Sequence, residues 1–339
     1  MKLKKLITII MSLALISSFL GCSSKSTNNS TSNSNQEQKQ IVLRLSDTHP
    51  DGFVTVRADK EFARLVEENS NGRIKVEVYP GGQLGDEKSV IEQVQFGAID
   101  LVRTSISPLA EFDKELSALM LPYLYRDTEH MFRVLDGAIG EKIFKNLENY
   151  KFEGLCWFDA GSRNFYNTKK EVKKPDDLKG LKIRVQESKM MMDLVKALGA
   201  SPTPMAYSEV YSALQTGVID GAENNWASYL SSNHFEVAKY ITTDEHTRVP
   251  EVIIMSKITW DKLSADDQKI IKDAAVKAGL YQRQEWQKDE EAAKNQLKDK
   301  GVKITTLESN SEFQDKVKVL YDEYGKEYKD LINEIINTK

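Results

Sequence analysis

From Ile41 onward, the hydrophobic pattern switches between a period of two and a period near 3.6. Residues 41–45 read as a strand, and residues 54–68 as a helix with Phe62, Leu65 and Val66 on one side. Asn71-Gly72 marks a turn before Ile74-Lys75-Val76-Glu77-Val78, which alternates as a second strand. Gly81-Gly82 breaks the chain ahead of a helix over 87–96. Residues 99–102 are short and mostly apolar, as expected of a parallel strand covered on both faces. This order predicts a mainly parallel sheet with helices packed against it.

A second set of elements begins near Leu155. Strands are expected at 155–159, 164–167, 182–185, 218–222 and 237–242, with helices at 189–198 and 208–215. Residues 252–255 form a further strand that returns to the first set. A long charged helix (265–298), a strand (302–306) and a closing helix (313–336) complete the chain, which has no internal repeat. The expected fold is α/β with two lobes and mainly parallel sheets. Residues 41–159 and 249–290 would form the first lobe, 160–248 and 291–339 the second.

The first forty residues have a different character. Lys2, Lys4 and Lys5 precede an apolar stretch over 6–20, shorter than the roughly 20 residues that span a bilayer, which reads as an export signal. It ends in Phe19-Leu20-Gly21-Cys22, which resembles the lipobox of bacterial lipoproteins, with Phe19 where an aliphatic residue is usual. The resemblance implies lipid on the Cys22 thiol; ordinary signal cleavage nearby is the alternative. Residues 23–40 are polar and low in complexity, a flexible linker with a reach of about 20–25 Å. Segment 1–22 is thus expected to export the protein and anchor it outside the cytoplasm on the bacterial cell membrane. Cys156, within the apolar run Leu155-Cys156-Trp157-Phe158, reads as a buried structural thiol.

Composition narrows the function. The 339 residues are 40% hydrophobic and 29% charged, a globular balance. The formal charge of -4 offers no basic face for nucleic acid. Two cysteines and four histidines (His49, His130, His234, His246) show no metal-ligand spacing, so neither metal nor cofactor is expected.

In open α/β sheets, ligands sit beyond the carboxyl ends of strands. Residues there include Asp47 and His49; Arg103, Thr104 and Ser105; Arg163; Arg184 and Gln186; and Glu223, Asn224 and Asn225. An arginine fork matches a carboxylate with two parallel charge-assisted hydrogen bonds. Arg103 ends an apolar strand, where its charge needs a partner. Plainer readings remain beside these. Lys182 and Arg184 share one strand face, which also suits two solvated cations, and Arg163 has Asp159 at hand. Asn224 or Asn225 suits a helix cap ahead of Trp226. Trp157, Tyr166, Tyr207 and Trp226 suit a core, Asp289-Glu290-Glu291 a solvated helix face, and Pro202 and Pro204 a stiffened loop.

These residues carry a family resemblance. Gln83-Leu84-Gly85-Asp86, the run PDDLKGLKIRV from Pro175 to Val185 and Leu198-Gly199-Ala200-Ser201-Pro202-Thr203-Pro204-Met205 come first. Ser208-Glu209-Val210-Tyr211-Ser212-Ala213-Leu214-Gln215-Thr216-Gly217 and Asp220-Gly221-Ala222-Glu223-Asn224 follow in order. Together they resemble the solute-binding proteins of tripartite ATP-independent periplasmic (TRAP) transporters, DctP type. The resemblance implies a two-lobed, periplasmic-binding-protein-like clamp that closes on a small organic acid and hands it to a membrane permease. It implies that Arg184 salt-bridges the ligand carboxylate, with Arg163 and Asn224 in support and Tyr207 packing against the ligand. Ser105 replaces the acidic residue of sialate binders. The segments around Trp157–Arg163, Asp100–Ser105, Gly221–Asn225, Asp244–His246 and Pro250-Glu251 resemble the hexuronate-binding branch. A uronate there would add Arg103, His49, Gln186, Asn225, Glu251 and Trp157 to the contacts. No acid–base pair marks an enzyme, and a monomer is expected. A receptor for a C4-dicarboxylate or aldarate, a sensory binding protein and an exported sugar-acid enzyme are the rival readings.

Overall fold

A computed structural model of the protein describes residues 40–339. The export signal, Cys22 and all of the linker but its last residue lie outside the described residues. Strands β1 (Ile41–Ser46), β2 (Ile74–Tyr79), β3 (Leu101–Ser105) and β4 (Phe152–Phe158) belong to a first sheet. Strands β5 (Ser162–Asn167), β6 (Lys182–Val185), β7 (Ser201–Pro204), β8 (Gly221–Asn224), β9 (Tyr240–Thr242) and β10 (Thr247–Arg248) build a second. Strand β11 (Glu251–Ser256) returns to the first sheet and β12 (Lys303–Thr305) to the second. The orders are β2-β1-β3-β11-β4 and β12-β9-β5-β8-β6-β7, with β10 paired to β5.

The observed architecture is the expected two-lobed α/β clamp, but both sheets are mixed rather than mainly parallel. Strand β11 comes back from the other lobe and runs antiparallel to β3 and β4. Strand β5 likewise runs antiparallel to β8 and β9. Chain crossings between lobes set these directions, and hydrophobic period carries no strand direction. The stretch between β3 and β4, to which the pattern assigns nothing, folds as a 3-10 helix, Lys114–Met120, and helices Thr128–Leu135 and Ala138–Leu147. Both of these helices are amphipathic, burying Met131, Val134 and Leu135 in the first and Ile143 and Leu147 in the second. The loop expected at Pro202 and Pro204 is instead β7, an edge strand, where proline's missing N–H costs no ladder bond.

Each sheet buries a face against helices. In the first lobe Leu43, Leu45, Ile253 and Met255 cluster with Phe62, Val66 and Ile271; in the second Tyr166, Ala222 and Ile241 cluster with Leu214, Tyr229 and Phe235. Each buried side chain of this size contributes about 1.5–3 kcal/mol. The long helix Ala265–Asp299, capped by Ser264, serves both lobes. Its Ala274, Ala275 and Ala278 pack on the first and its Ala293 and Leu297 on the second, with Trp286 against Phe53, Val54 and Ala227 between them. Asp289 pairs with Arg57 at 3.0 Å and Glu290 is half-buried beside Gly161, so of the acidic run only Glu291 is fully solvated. The closing helix Ser311–Asn337 also touches both lobes. Tyr321 Oη donates to the Pro122 carbonyl at 2.8 Å and Tyr324 Oη to Asp193 at 3.2 Å.

Strand β8 depends on a missing side chain. A Cβ at Gly221 would lie 2.4 Å from the Tyr166 carbonyl oxygen and 2.9 Å from Asn167 Cβ. Gly221→Ala is therefore expected to destabilise by about 1–3 kcal/mol, read as a lower melting temperature. An unchanged melt would mean that β5 and β8 yield without cost.

Candidate functional site

Charged side chains gather at the strand ends facing the gap between the lobes. In the first lobe, β3 carries Arg103, which is fully buried. Its Nε donates to Asp47 Oδ2 at 2.9 Å and its Nη2 pairs with Asp47 Oδ1. Its Nη1 lies 3.2 Å from Glu251 Oε2, out of line for a hydrogen bond, and 3.7 Å from Glu87 Oε1. Asp47 also accepts from Thr55 Oγ1 at 2.7 Å. Burial opposes the Asp47 charge, but Arg103 and His49 together hold its carboxyl well below the usual range. Burial pushes the Glu251 carboxyl up, against the pull of Arg103. His49 Nδ1 sits between Arg103 Nη2, at 2.6 Å, and Asp47 Oδ1, at 3.1 Å, and the His49 backbone N–H donates to the same Asp47 oxygen at 2.7 Å.

The second lobe holds a parallel arrangement. Arg163 on β5 is gripped by Glu223 on β8: Nε pairs with Oε2, and Nη2 donates to Oε1 and to the Glu223 carbonyl, both at 2.9 Å. Its partner is thus Glu223 rather than the nearby Asp159. Glu223 Oε2 lies 3.5 Å from His246 Nε2, and His246 Nδ1 lies 2.7 Å from Asp244. Burial resists the charge on Glu223, but Arg163 and His246 hold it at about 2. Burial likewise works against a charged His246, yet Asp244 and Glu223 lift it to about 9. The result is a buried row of alternating charge: Asp244, His246, Glu223, Arg163.

Arg184 differs from both. It is 3% exposed on β6, and its Nε and Nη2 both donate to the Met205 carbonyl, at 3.0 and 2.8 Å. Among the described residues it pairs with no carboxylate, and its guanidinium lies 5.9 Å from the Tyr207 ring centre. Burial pushes its pKa below the usual value, partly offset by the charge of Glu223. Behind it, burial and Arg184 itself depress His234 to about 3, leaving that imidazole neutral beside Tyr166 Oη at 2.7 Å.

Arg184 borders a cleft of about 270 Å³ whose walls come from both lobes: Thr48, Gly82, Glu87 and Pro108 on one side, Arg184, Gln186, Tyr207 and Glu209 on the other. This is just below the roughly 300–1,000 Å³ typical of ligand pockets. His49 stacks on Phe53 at 4.2 Å and meets Tyr207 across the gap at 5.4 Å. Ser105 Oγ bridges to Gln186 at 3.5 Å. Of the residues singled out in the sequence, Arg184, Gln186 and Tyr207 line the cleft, and His49 touches its wall. Arg103, Arg163 and Glu251 stand behind it in ion pairs. Asn225 caps the helix Trp226–Ser231, accepting from Ser228 N–H at 2.7 Å, and Asn224 accepts from Asn225 N–H at 2.9 Å. Trp157 lies elsewhere, stacked on Phe144. Of the charged partners, Asp47 and Glu223 stand among the strand-end residues and His246 in a segment of the family resemblance, all without a role assigned from sequence, whereas nothing local marks Glu87.

Two lobes linked by long helices, with a buried guanidinium in the gap that meets no carboxylate among the described residues, define a ligand-binding clamp for an anion. The chain belongs to the bacterial extracellular solute-binding protein family 7, DctP, whose pattern it matches over residues 45–327. It is a binding protein rather than an enzyme, and it works outside the cytoplasm. A solute-binding protein of Chromohalobacter salexigens is 38% identical over 283 residues, 84% of each chain. A TRAP periplasmic solute-binding protein from Bradyrhizobium sp. BTAi1, solved with alpha/beta-D-galacturonate, superposes with a TM-score of 0.85 at 43% identity, covering 87% of this chain and 99% of its own. One from Citrobacter koseri, solved with D-glucuronate, gives 0.86 at 37% identity, covering 88% and 100%.

The lifted His246 predicts a pH dependence. A group with a raised folded pKa stabilises fully below its unfolded value, here 6.5, and loses that contribution as pH rises through about 9. Every tenfold gain in proton affinity on folding is worth about 1.4 kcal/mol. The melting temperature should therefore fall between these two pH values, and His246→Gln should flatten the slope. The same slope in that variant would show that another group is titrating.

Proposed function

We propose that the protein binds a hexuronate, such as galacturonate or glucuronate, with Arg184 taking its carboxylate. One observation carries this reading: of the three buried strand-end arginines, Arg184 alone lacks a carboxylate partner among the described residues. An unneutralised buried cation is costly, and a ligand carboxylate meeting the fork relieves that cost. Arg103 and Arg163 serve as positioning residues, their charges consumed by Asp47 and Glu223. One available guanidinium suits one carboxylate, which weighs against a dicarboxylate or aldarate. Gln186, Tyr207, Thr48 and Glu87 offer donors and acceptors for ring hydroxyls. Such a site rejects analogues that lack the hydroxyls, since its polar groups would then stay unpaired. The hexuronates found in the two related structures support the same assignment.

A ligand touching both walls favours the closed arrangement over the open one, so closure is a population shift driven by contacts made only when shut. The reading takes the protein as a monomer that hands its ligand to a TRAP permease, tethered near it by lipid on Cys22. Replacement of Cys22 by serine should then move the protein from the membrane fraction to the supernatant. Retention in the membrane would remove the lipid anchor.

Calorimetry on refolded protein should give saturable binding of galacturonate or glucuronate and none of glucose. Arg184→Ala should retain its fold and lose about 2–5 kcal/mol of binding. Unchanged affinity in that variant, or binding of succinate alone, would overturn the assignment.

A further inference from the structure

Trp157 was singled out by the sequence, and the interlobe cleft does not use it. It lines a second cavity, about 380 Å³, at the edge of the first sheet where β4 is the outermost strand. Helix Ala138–Leu147 supplies Phe144 to one wall, and the long helix supplies Val276 and Leu280 to the other. Trp157 and Phe144 stack with centres 4.5 Å apart. Val276 and Leu280, four positions apart on that helix, are 48% and 52% exposed, an apolar rim that no described residue covers.

The cavity holds a cation as well as apolar walls. Lys272 Nζ caps the Gly154 carbonyl and lies 4.9 Å from the centre of the Phe144 ring. It makes no ion pair among the described residues, and burial pushes its pKa down against the charge of Glu153. Of the acids at the mouth, Asp136 is held by both terminal nitrogens of Arg283, at 2.6 and 2.8 Å, and Glu141 is exposed. An ammonium that makes no ion pair among the described residues, set among aromatic and aliphatic walls, matches a ligand with a charged end and an apolar body.

We propose that this cavity is a second ligand site, which takes a monocarboxylate on an apolar body, its carboxylate at Lys272 and its body against Phe144, Val276 and Leu280. The assignment is independent of what the interlobe cleft binds. Naphthoate and its neutral counterpart naphthalenemethanol serve as probes, titrated by calorimetry into the chain from residue 39 onward and into its variants. Saturable naphthoate binding is expected, stronger than that of the alcohol and preserved in Arg184→Ala. It should weaken about tenfold or more in Lys272→Gln, which removes the charge-assisted bond, and in Leu280→Glu, an exposed position where folding is not at risk. Absence of saturable binding at millimolar probe would overturn the proposal. So would loss of binding in Arg184→Ala, which places the probe in the cleft, or equal binding of the alcohol. Indifference to both Lys272→Gln and Leu280→Glu would likewise overturn it.

Discussion

A buried guanidinium must find a negative partner, and this requirement organises the space between the lobes. Three arginines stand at strand ends where the two sheets face each other. Asp47 neutralises Arg103 within the first lobe, and Glu223 neutralises Arg163 within the second. Each of these carboxylates is itself fixed: Asp47 by Thr55 and His49, Glu223 by His246. The pairs are therefore rigid supports whose charges are spent. Arg184 rests on a backbone carbonyl, which orients the fork without cancelling its charge. Burial, a neutral His234 and the Tyr207 ring keep that charge poorly screened, which suits recognition of an anion.

The connection between lobes determines how such a site can operate. The chain passes from the first sheet to the second between β4 and β5 and comes back between β10 and β11. Both long helices then touch the two lobes. The long helix packs alanines and one glycine closely on the first lobe: a Cβ on Gly279 would come 3.1 Å from the Trp157 carbonyl oxygen. Its later turns lie on the second lobe, past Trp286. A shared helix of this kind lets two rigid cores tilt about a few crossing points while their interiors stay packed. The contacts between His49 and Tyr207, and between Ser105 and Gln186, are those that opening would break. The second cavity lies between the same long helix and the exposed edge of β4, away from these moving walls.

Much of this was legible along the chain. The alternation of periods placed most strands, the long helix and the return of β11, because strand and helix periods are local properties of neighbouring residues. The strand-end rule brought Arg103, Arg163, Arg184, Gln186 and Asn225 forward, because chain direction locates strand ends without tertiary detail. The helices between β3 and β4 went unassigned although their apolar positions recur at helical spacing, and the edge strand β7 escaped because its two prolines read as a loop. Trp157 was noticed for its place in a motif, but its strand sits at a sheet edge. Its side chain faces Phe144 rather than the cleft, and sheet order is not encoded in any short window.

The sequence by itself determined the class of the fold, the family and the set of side chains able to bind an anion. Only the tertiary structure decided which arginine remains unpaired. Arg103 meets a carboxylate 56 positions away and Arg163 one 60 positions away. Composition and spacing present the three arginines as equals, because local pattern reports what each residue can do. Neutralisation falls off steeply with distance, so it is settled by which strands the fold sets side by side.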